Sequence, residues 1–193
     1  MTSDAERALI EIDRLGILLL QDPRLPSLAA LVAGETVKGS WWGHPAGNRI
    51  FDAAGALDAH ADVCTFKLVE GKVCFVHRRL WPALVAIGSA REGWQLEELD
   101  ADARALLERV ERESVVRASG KAAKALETRL LAASAQVHTA SGKHATELSS
   151  WARFAQDRAT GTTPPLAEAK RQVERAAAGL ATGSGARARL PWR

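Results

Sequence analysis

The sequence has few of the features that mark membrane, secreted or metal-binding proteins. No apolar run approaches 18 residues, so no membrane-spanning helix is predicted. The first residues are polar and acidic, unlike a secretory signal. Two cysteines, Cys64 and Cys74, are too few for a disulfide framework or a structural zinc site. These absences predict a protein of the reducing cytoplasm that binds no metal, cofactor or membrane.

Familiar catalytic motifs are also missing. The chain contains no Gly-x-Ser-x-Gly, no His-Glu-x-x-His, no Gly-x-Gly-x-x-Gly and no EF-hand loop. Its 193 residues, 47% apolar and 25% charged, have the composition of an ordinary folded protein with a real core. The sequence therefore leaves open whether the protein is an enzyme.

Charge is distributed unevenly along the chain. Residues 1–114 hold 13 Lys and Arg against 18 Asp and Glu, a net charge of −5. Residues 115–193 hold 13 basic and 5 acidic residues, a net charge of +8. This asymmetry predicts that the C-terminal part meets an anionic partner, and a solvated basic helical surface is the alternative.

Hydrophobic periodicity predicts a mainly α fold with one β-hairpin, an α+β protein. Helices are predicted over about 4–21, from Pro26 to Gly34, over 45–59 and 79–88, from Asp100 to Val110, and over 120–138, 143–158 and 165–180. In the third of these helices, Ile50, Phe51 and Leu57 are expected to face the core.

The hairpin is predicted from two β-rich runs, Val63–Val69 and Lys72–His77, which Glu70-Gly71 separates as a two-residue turn. In that register Phe66 faces Phe75 and Cys64 faces His77. The two cysteines then point to opposite faces of the hairpin, which argues against a disulfide between them.

Three helices followed by a hairpin is the element order of a winged-helix module, and over about residues 4–77 the chain resembles one in this order alone. That resemblance implies a third helix that reads a nucleic-acid groove and a hairpin that forms the wing. The composition of the third helix fits this role poorly, because Arg49 is its only basic residue and stands against Asp52 and Asp58.

Three regions are therefore expected. A winged-helix-like domain occupies residues 1–98, a basic helical region residues 99–180, and a flexible basic tail residues 181–193. Within that tail, Leu190-Pro191-Trp192 offers an anchor to the body of the protein.

A short repeat stands out in the basic region. Ala118-Ser119-Gly120-Lys121 recurs as Ala140-Ser141-Gly142-Lys143. Each copy is predicted at a helix start, where free amides and a lysine can hold an anion. Neither copy is a P-loop, because the upstream glycine is missing. The alternative interpretation is ordinary helix-start chemistry repeated by chance.

The leading hypothesis is a nucleic-acid-binding protein, for DNA or RNA, acting in repair or regulation. Phosphate contacts are predicted for a set of polar and basic side chains: Arg117, Ser119, Lys121, Lys124, Ser141, Lys143, Arg153 and Arg158. Trp41 and Trp42, in a predicted loop, are candidates for base stacking or for lining a pocket.

The second hypothesis is a small enzyme, one that acts on nucleic acid included. Its pocket is predicted at the Trp41–Asn48 loop together with His77, Arg78 and Arg79, and His44 is the first candidate catalytic group. His138 and His144 form a second candidate acid–base pair. A third hypothesis is a protein–protein adaptor whose basic helices bind an acidic partner.

Overall fold

The computed structural model describes residues 3–138, 144–183 and 185–193, and it divides the chain into two compact units. Unit 1 comprises residues 1–80, 172–191 and 193, and unit 2 comprises residues 81–171 and 192. The predicted α+β class is confirmed. The described residues form two three-stranded antiparallel sheets, where the sequence predicted a single hairpin.

Unit 1 places three helices against the first sheet. Its elements are α1 (Asp4–Leu15), β1 (Ile17–Leu19), α2 (Leu28–Ala33), α3 (Gly47–Asp58), β2 (Val63–Val69) and β3 (Lys72–His77). The strand order is β1-β3-β2. The core lies between the helices and the sheet, and it includes Ile12, Leu28, Ile50 and Phe75.

Helix α1 has a capping box at its start. The Ser3 hydroxyl accepts a hydrogen bond from the Glu6 amide, and the Glu6 carboxylate accepts one from the Ser3 amide. The helix ends at Gly16, whose φ of +86° is left-handed, so the predicted continuation to residue 21 is wrong. Ile17–Leu19 are all buried and form β1 instead, since a helix would expose part of this apolar run.

The first hairpin forms where it was predicted, but its register differs. Val69 pairs with Lys72 as expected, and a β-bulge between Lys67 and Val69 then shifts the pairing by one residue. Phe66 consequently lies opposite Cys74, and Cys64 lies opposite Val76. The two cysteines therefore share one face of the sheet, contrary to the prediction, and both are buried free thiols.

Unit 2 contains the second sheet. Its elements are α4 (Trp81–Ser89), α5 (Gly93–Leu96), α6 (Ala101–Glu113), β4 (Val115–Ala118), α7 (Gly120–Thr128), β5 (Ala133–His138), β6 (His144–Ser149) and α8 (Trp151–Asp157). The long helix α9 (Leu166–Ala181) follows, and its residues from 172 onward group with unit 1. Asp100, where the sequence predicted this helix to begin, caps α6 and accepts a hydrogen bond of 2.9 Å from the Ala103 amide.

The helix predicted over 120–138 is wrong in its C-terminal half, and the helix predicted over 143–158 is wrong in its N-terminal half. Helix α7 stops at Thr128, and β5 and β6 form a second hairpin that pairs with β4 in the order β4-β6-β5. The physical reason is burial of four consecutive residues, 130–133, because an amphipathic helix cannot bury every side chain of a full turn. Leu130 also has a left-handed φ of +51°, which ends helical geometry there.

The two sheets have the same connectivity. In each unit a helix leads into a short strand, further helical structure follows, and a hairpin then inserts its second strand in the centre of the sheet. The helix immediately before the hairpin is α3 in unit 1 and α7 in unit 2.

Candidate nucleic-acid interface

The first Ala-Ser-Gly-Lys copy lies at the junction between β4 and α7. Gly120 has a φ of +83°, and a Cβ added there would meet nothing within 4 Å. Ser119 is exposed, and its side chain makes no capping hydrogen bond to α7. The start of this helix is therefore open to solvent, as an anion site requires. Ser141 and Lys143 of the second copy lie outside the described residues.

Helix α7 carries a polar stripe on the face opposite its buried side. The exposed Lys121 and Lys124 and the half-buried Thr128 are spaced by three and four residues and share this face, while Ala123 and Leu126 are buried on the other. We call Lys121 and Lys124 the α7 lysine pair. Lys124 is exposed and makes no ion pair with any residue that the structure describes.

Lys121 has a carboxylate partner. Its ammonium lies 2.9 Å from Asp100, the residue that caps α6, and its side chain remains 89% exposed. The hydrogen bond between the two side chains raises the pKa of Lys121 and lowers the pKa of Asp100. Because solvent screens exposed ion pairs and they contribute little to stability, a phosphate can replace Asp100 as the partner of Lys121 at little cost.

Arg117 lies on β4 beside the start of α7. It stands directly opposite Glu147 on β6, and its Nε lies 3.3 Å from the carboxylate. Since β4 runs antiparallel to β6, α7 begins at the same end of the sheet at which β6 begins. His138 and His144 pair in register at the ends of β5 and β6, so the strands bring these two positions together across the hairpin.

The other predicted phosphate contacts lie elsewhere in unit 2. Arg153 is paired within α8 with Asp157 at 2.7 Å. The guanidinium of Arg158 lies over the Trp81 ring, 5.5 Å from the ring centroid, which is a cation–π contact. These contacts connect both arginines to their own unit rather than to the exposed face of α7.

The charge asymmetry of the sequence does not separate the two units. Unit 1 contains 13 basic and 11 acidic residues, and unit 2 contains 13 basic and 12 acidic residues. The boundary at residue 114 passes through unit 2, between the acidic helix α6 and the basic segment after it. Any anion site in unit 2 must therefore arise from the local placement of cations, not from net charge.

The loop before α3 holds the paired tryptophans. A 3-10 turn at Trp41–Gly43 buries Trp41 and leaves Trp42 65% exposed, with the rings stacked at 4.1 Å and 23°. His44 is held between two partners, because its Nδ1 accepts a hydrogen bond from the Ala46 amide and its Nε2 lies 3.4 Å from Glu35.

His77, Arg78 and Arg79 have other partners. Nε2 of His77 lies 3.7 Å from Asp13, and Arg79 donates to the backbone carbonyls of Asp13 and Arg14 at the end of α1. Burial and the nearby Arg79 lower the pKa of His77, although Asp13 opposes them. None of the described ion pairs or hydrogen bonds of this trio reaches the Trp41–Asn48 loop.

Arg78 is paired with Asp62 at 3.0 Å, while Arg79 lines an open depression of about 410 Å³ together with the side chains of α1 and α9. The two parts of the enzyme pocket in the second hypothesis therefore have different partners. His44, in the tryptophan loop, contacts Glu35. His77 and Arg78, at the end of the hairpin, contact Asp13 and Asp62.

An exposed phenylalanine is the functional candidate that sequence reasoning missed. Phe51 was expected in the core, yet its side chain is 48% exposed and its ring lies 5.6 Å from that of Trp42. Ile50, Ala53 and Leu57 form the buried stripe of α3, and Phe51 is rotated about 100° from Ile50. This rotation away from the buried stripe was the sequence signal that could have predicted an exposed Phe51.

Comparisons with known proteins identify no relative. No family model matches the chain, and neither the curated proteins nor the solved structures include a significant match. Within the described ranges, no helix is long and apolar enough to cross a membrane. The same residues contain no cluster of three or more His, Cys, Asp or Glu side chains that could hold a metal ion.

Proposed function

We propose that the protein binds nucleic acid through the α7 lysine pair and the neighbouring Arg117. The observation that carries this proposal is the stripe of cations on the exposed face of α7. An open helix start with two lysines one turn apart offers amides and ammonium groups to consecutive phosphates. Such contacts recognise the backbone rather than the bases, so little sequence preference is expected.

We further propose that the units are winged-helix-like, with the N-terminal unit as the complete example. Support comes from the order helix, strand, helix, helix, hairpin and from the central position of the last strand. In such a module the helix before the hairpin faces the nucleic acid, and this position belongs to α7 in unit 2. This part of the argument rests on analogy of fold. The two buried free thiols fit a reducing compartment such as the cytoplasm.

Charge reversal of the α7 lysine pair tests the proposal. We expect the unchanged protein to bind labelled DNA or RNA at low salt and to lose affinity steeply as salt rises. Lys121→Glu/Lys124→Glu should weaken binding by about tenfold or more, because two attractive phosphate contacts become repulsive. Fluorescence anisotropy with single- and double-stranded DNA and RNA measures the effect and distinguishes the type of strand.

Arg109→Glu/Arg112→Glu is the matched control, since it makes the same change of net charge on the exposed face of α6 in the same unit. It should retain most of the affinity. Absence of binding by the folded protein at low salt contradicts the proposal. Equal losses in the two variants would indicate a general charge effect rather than a site on α7.

A further inference from the structure

Trp42 and Phe51 form an exposed aromatic pair on unit 1, which we call the aromatic ledge. The Trp42 ring is fixed on one side by its stack with the buried Trp41. The centroids of the Trp42 and Phe51 rings lie 5.6 Å apart, and the two ring planes are inclined at 42°. Because both rings are already held in place, binding of a ligand over them costs little conformational entropy of these two side chains.

The ledge differs from ordinary scattered exposure of apolar side chains. In the part of the chain that the structure describes, Ile10, Trp42 and Phe51 are the only large hydrophobic side chains with about half or more of their surface exposed. Ile10 stands alone on the outer face of α1, whereas Trp42 and Phe51 touch each other. Single exposed residues need no explanation, but a contiguous aromatic pair is typical of an interaction site.

Gly55 lies one helical turn after Phe51 on the same exposed face of α3. A Cβ added to Gly55 would meet nothing within 4 Å, and its φ is not left-handed, so the fold does not require glycine there. Glycine in a helix costs about 0.5–1 kcal/mol relative to alanine. Its effect at this position is a bare stretch of backbone beside the ledge, which a partner can approach closely.

An exposed carboxylate follows Phe51 in α3. Asp52 makes no ion pair with a described residue, while Arg49 is held by Asp4 through hydrogen bonds of 2.9 and 3.0 Å. A free carboxylate repels phosphate and attracts a lysine or arginine. The chemistry of this face therefore favours a protein over a nucleic acid.

We propose that the Trp42–Phe51 face of α3 is a protein-docking surface. The partner it fits is a segment that places an apolar side chain on the aromatic ledge and a lysine or arginine beside Asp52. Gly55 allows the backbone of that segment to lie close to α3. This site is separate from the α7 lysine pair, and it stands whether or not the protein binds nucleic acid.

The experiment begins with selection of phage-displayed random peptides of about a dozen residues on the immobilised full chain. We expect the enriched peptides to combine an aromatic or aliphatic residue with a nearby lysine or arginine. Synthetic copies should bind Phe51→Ala at least about tenfold more weakly in anisotropy titrations, as expected for a central aromatic contact. Asp52→Lys should weaken binding of the same peptides through charge repulsion.

Two further variants keep the test independent of folding. Gly55→Gln should block the bare backbone while favouring the helix, so a loss of peptide binding in a fully folded variant supports the proposal. Ile10→Ala removes the other exposed apolar side chain and should bind the peptides as the unchanged protein does.

Several results would overturn the inference. These are failure to enrich any peptide, enrichment of acidic peptides, or equal binding to Phe51→Ala and Ile10→Ala. Loss of polynucleotide binding in Phe51→Ala would assign the face to nucleic acid instead. Self-association in sedimentation experiments that Phe51→Ala abolishes would assign it to a second copy of the chain.

Discussion

Replacement of Gly88 by alanine is expected to destabilise the protein by about 3 kcal/mol, although alanine is the better helix former. Gly88 lies in α4, and a Cβ there would overlap the indole ring of Trp151. Trp151 is buried at the start of α8, and its Nε1 donates a hydrogen bond of 2.8 Å to the Leu130 carbonyl. Phe154 packs edge-on against the ring, so the indole can move away from a new methyl group only by losing this contact and the hydrogen bond to Leu130.

The matched control is Gly55→Ala in α3, where the new methyl group meets open space. This variant should increase the free energy of unfolding by about 0.5–1 kcal/mol, because helix propensity acts there without a clash. Urea denaturation followed by circular dichroism compares the two variants. Stabilisation by both substitutions would mean that α4 and α8 are not packed as closely as the structure indicates.

Local sequence signals predicted the starts of two helices and the position of the first hairpin. Ser3 and Asp4 marked the start of α1, and Asp100 marked the start of α6, because capping depends on residues that are close in the chain. Glu70-Gly71 between two β-rich runs located the first hairpin for the same reason. The bulge that shifts its register depends on packing of the sheet and had no such local mark.

The second hairpin was missed because its residues fit two periods. Ala133 and Val137 extend the helical spacing of Leu126 and Leu130, while Ala133–His138 also alternates small apolar and polar residues as a strand does. Pairing with β4 decides between them, and β4 lies about 30 residues from β6 in the sequence. No single stretch of sequence contains that information.

For the candidate sites, the sequence indicated which basic residues lie close together but not which residues from other elements contact the histidines. The cluster of basic residues after residue 114 led directly to the α7 lysine pair, since both lysines lie in one short segment. The partners of His44 and His77 are Glu35 and Asp13, which come from other elements and could not be inferred from spacing. The aromatic ledge likewise depends on the angle at which the turn at Trp41–Gly43 meets α3.

Replacement of Asp22 by alanine is expected to cost about 3 kcal/mol of stability in unit 1. The Asp22 carboxylate is buried and accepts hydrogen bonds from the amides of Arg24 and Leu25 at 2.8 and 2.9 Å. It also lies 2.7 Å from the Lys72 ammonium. Lys72 keeps Glu70 as a partner and is partly exposed, so most of the loss comes from the two amides.

The contribution of Asp22 should also depend on pH. Burial raises the pKa of this carboxyl, but the hydrogen bonds from Lys72 and the two amides outweigh burial and lower it below the ordinary value of 3.8. Because the pKa is lower in the folded state than in the unfolded state, the ionised carboxylate stabilises the fold above about pH 4. That stabilisation is lost as pH falls through the folded-state pKa.

Asp22→Asn isolates this charge, since its amide oxygen can still accept from Arg24 and Leu25. We expect the asparagine variant to be less stable than the unchanged protein at about pH 7. The difference should shrink as pH falls below about 4, where the unfolded state takes up a proton at Asp22, and shrink further as pH falls through the folded-state pKa. Urea denaturation over this range measures both stabilities, and Asp52→Asn, which removes an exposed carboxylate, should show only a small difference throughout. A difference at Asp22 that stays constant down to the lowest pH would contradict the assignment, because it would mean that the Lys72 ammonium does not stabilise the ionised carboxylate in the folded state.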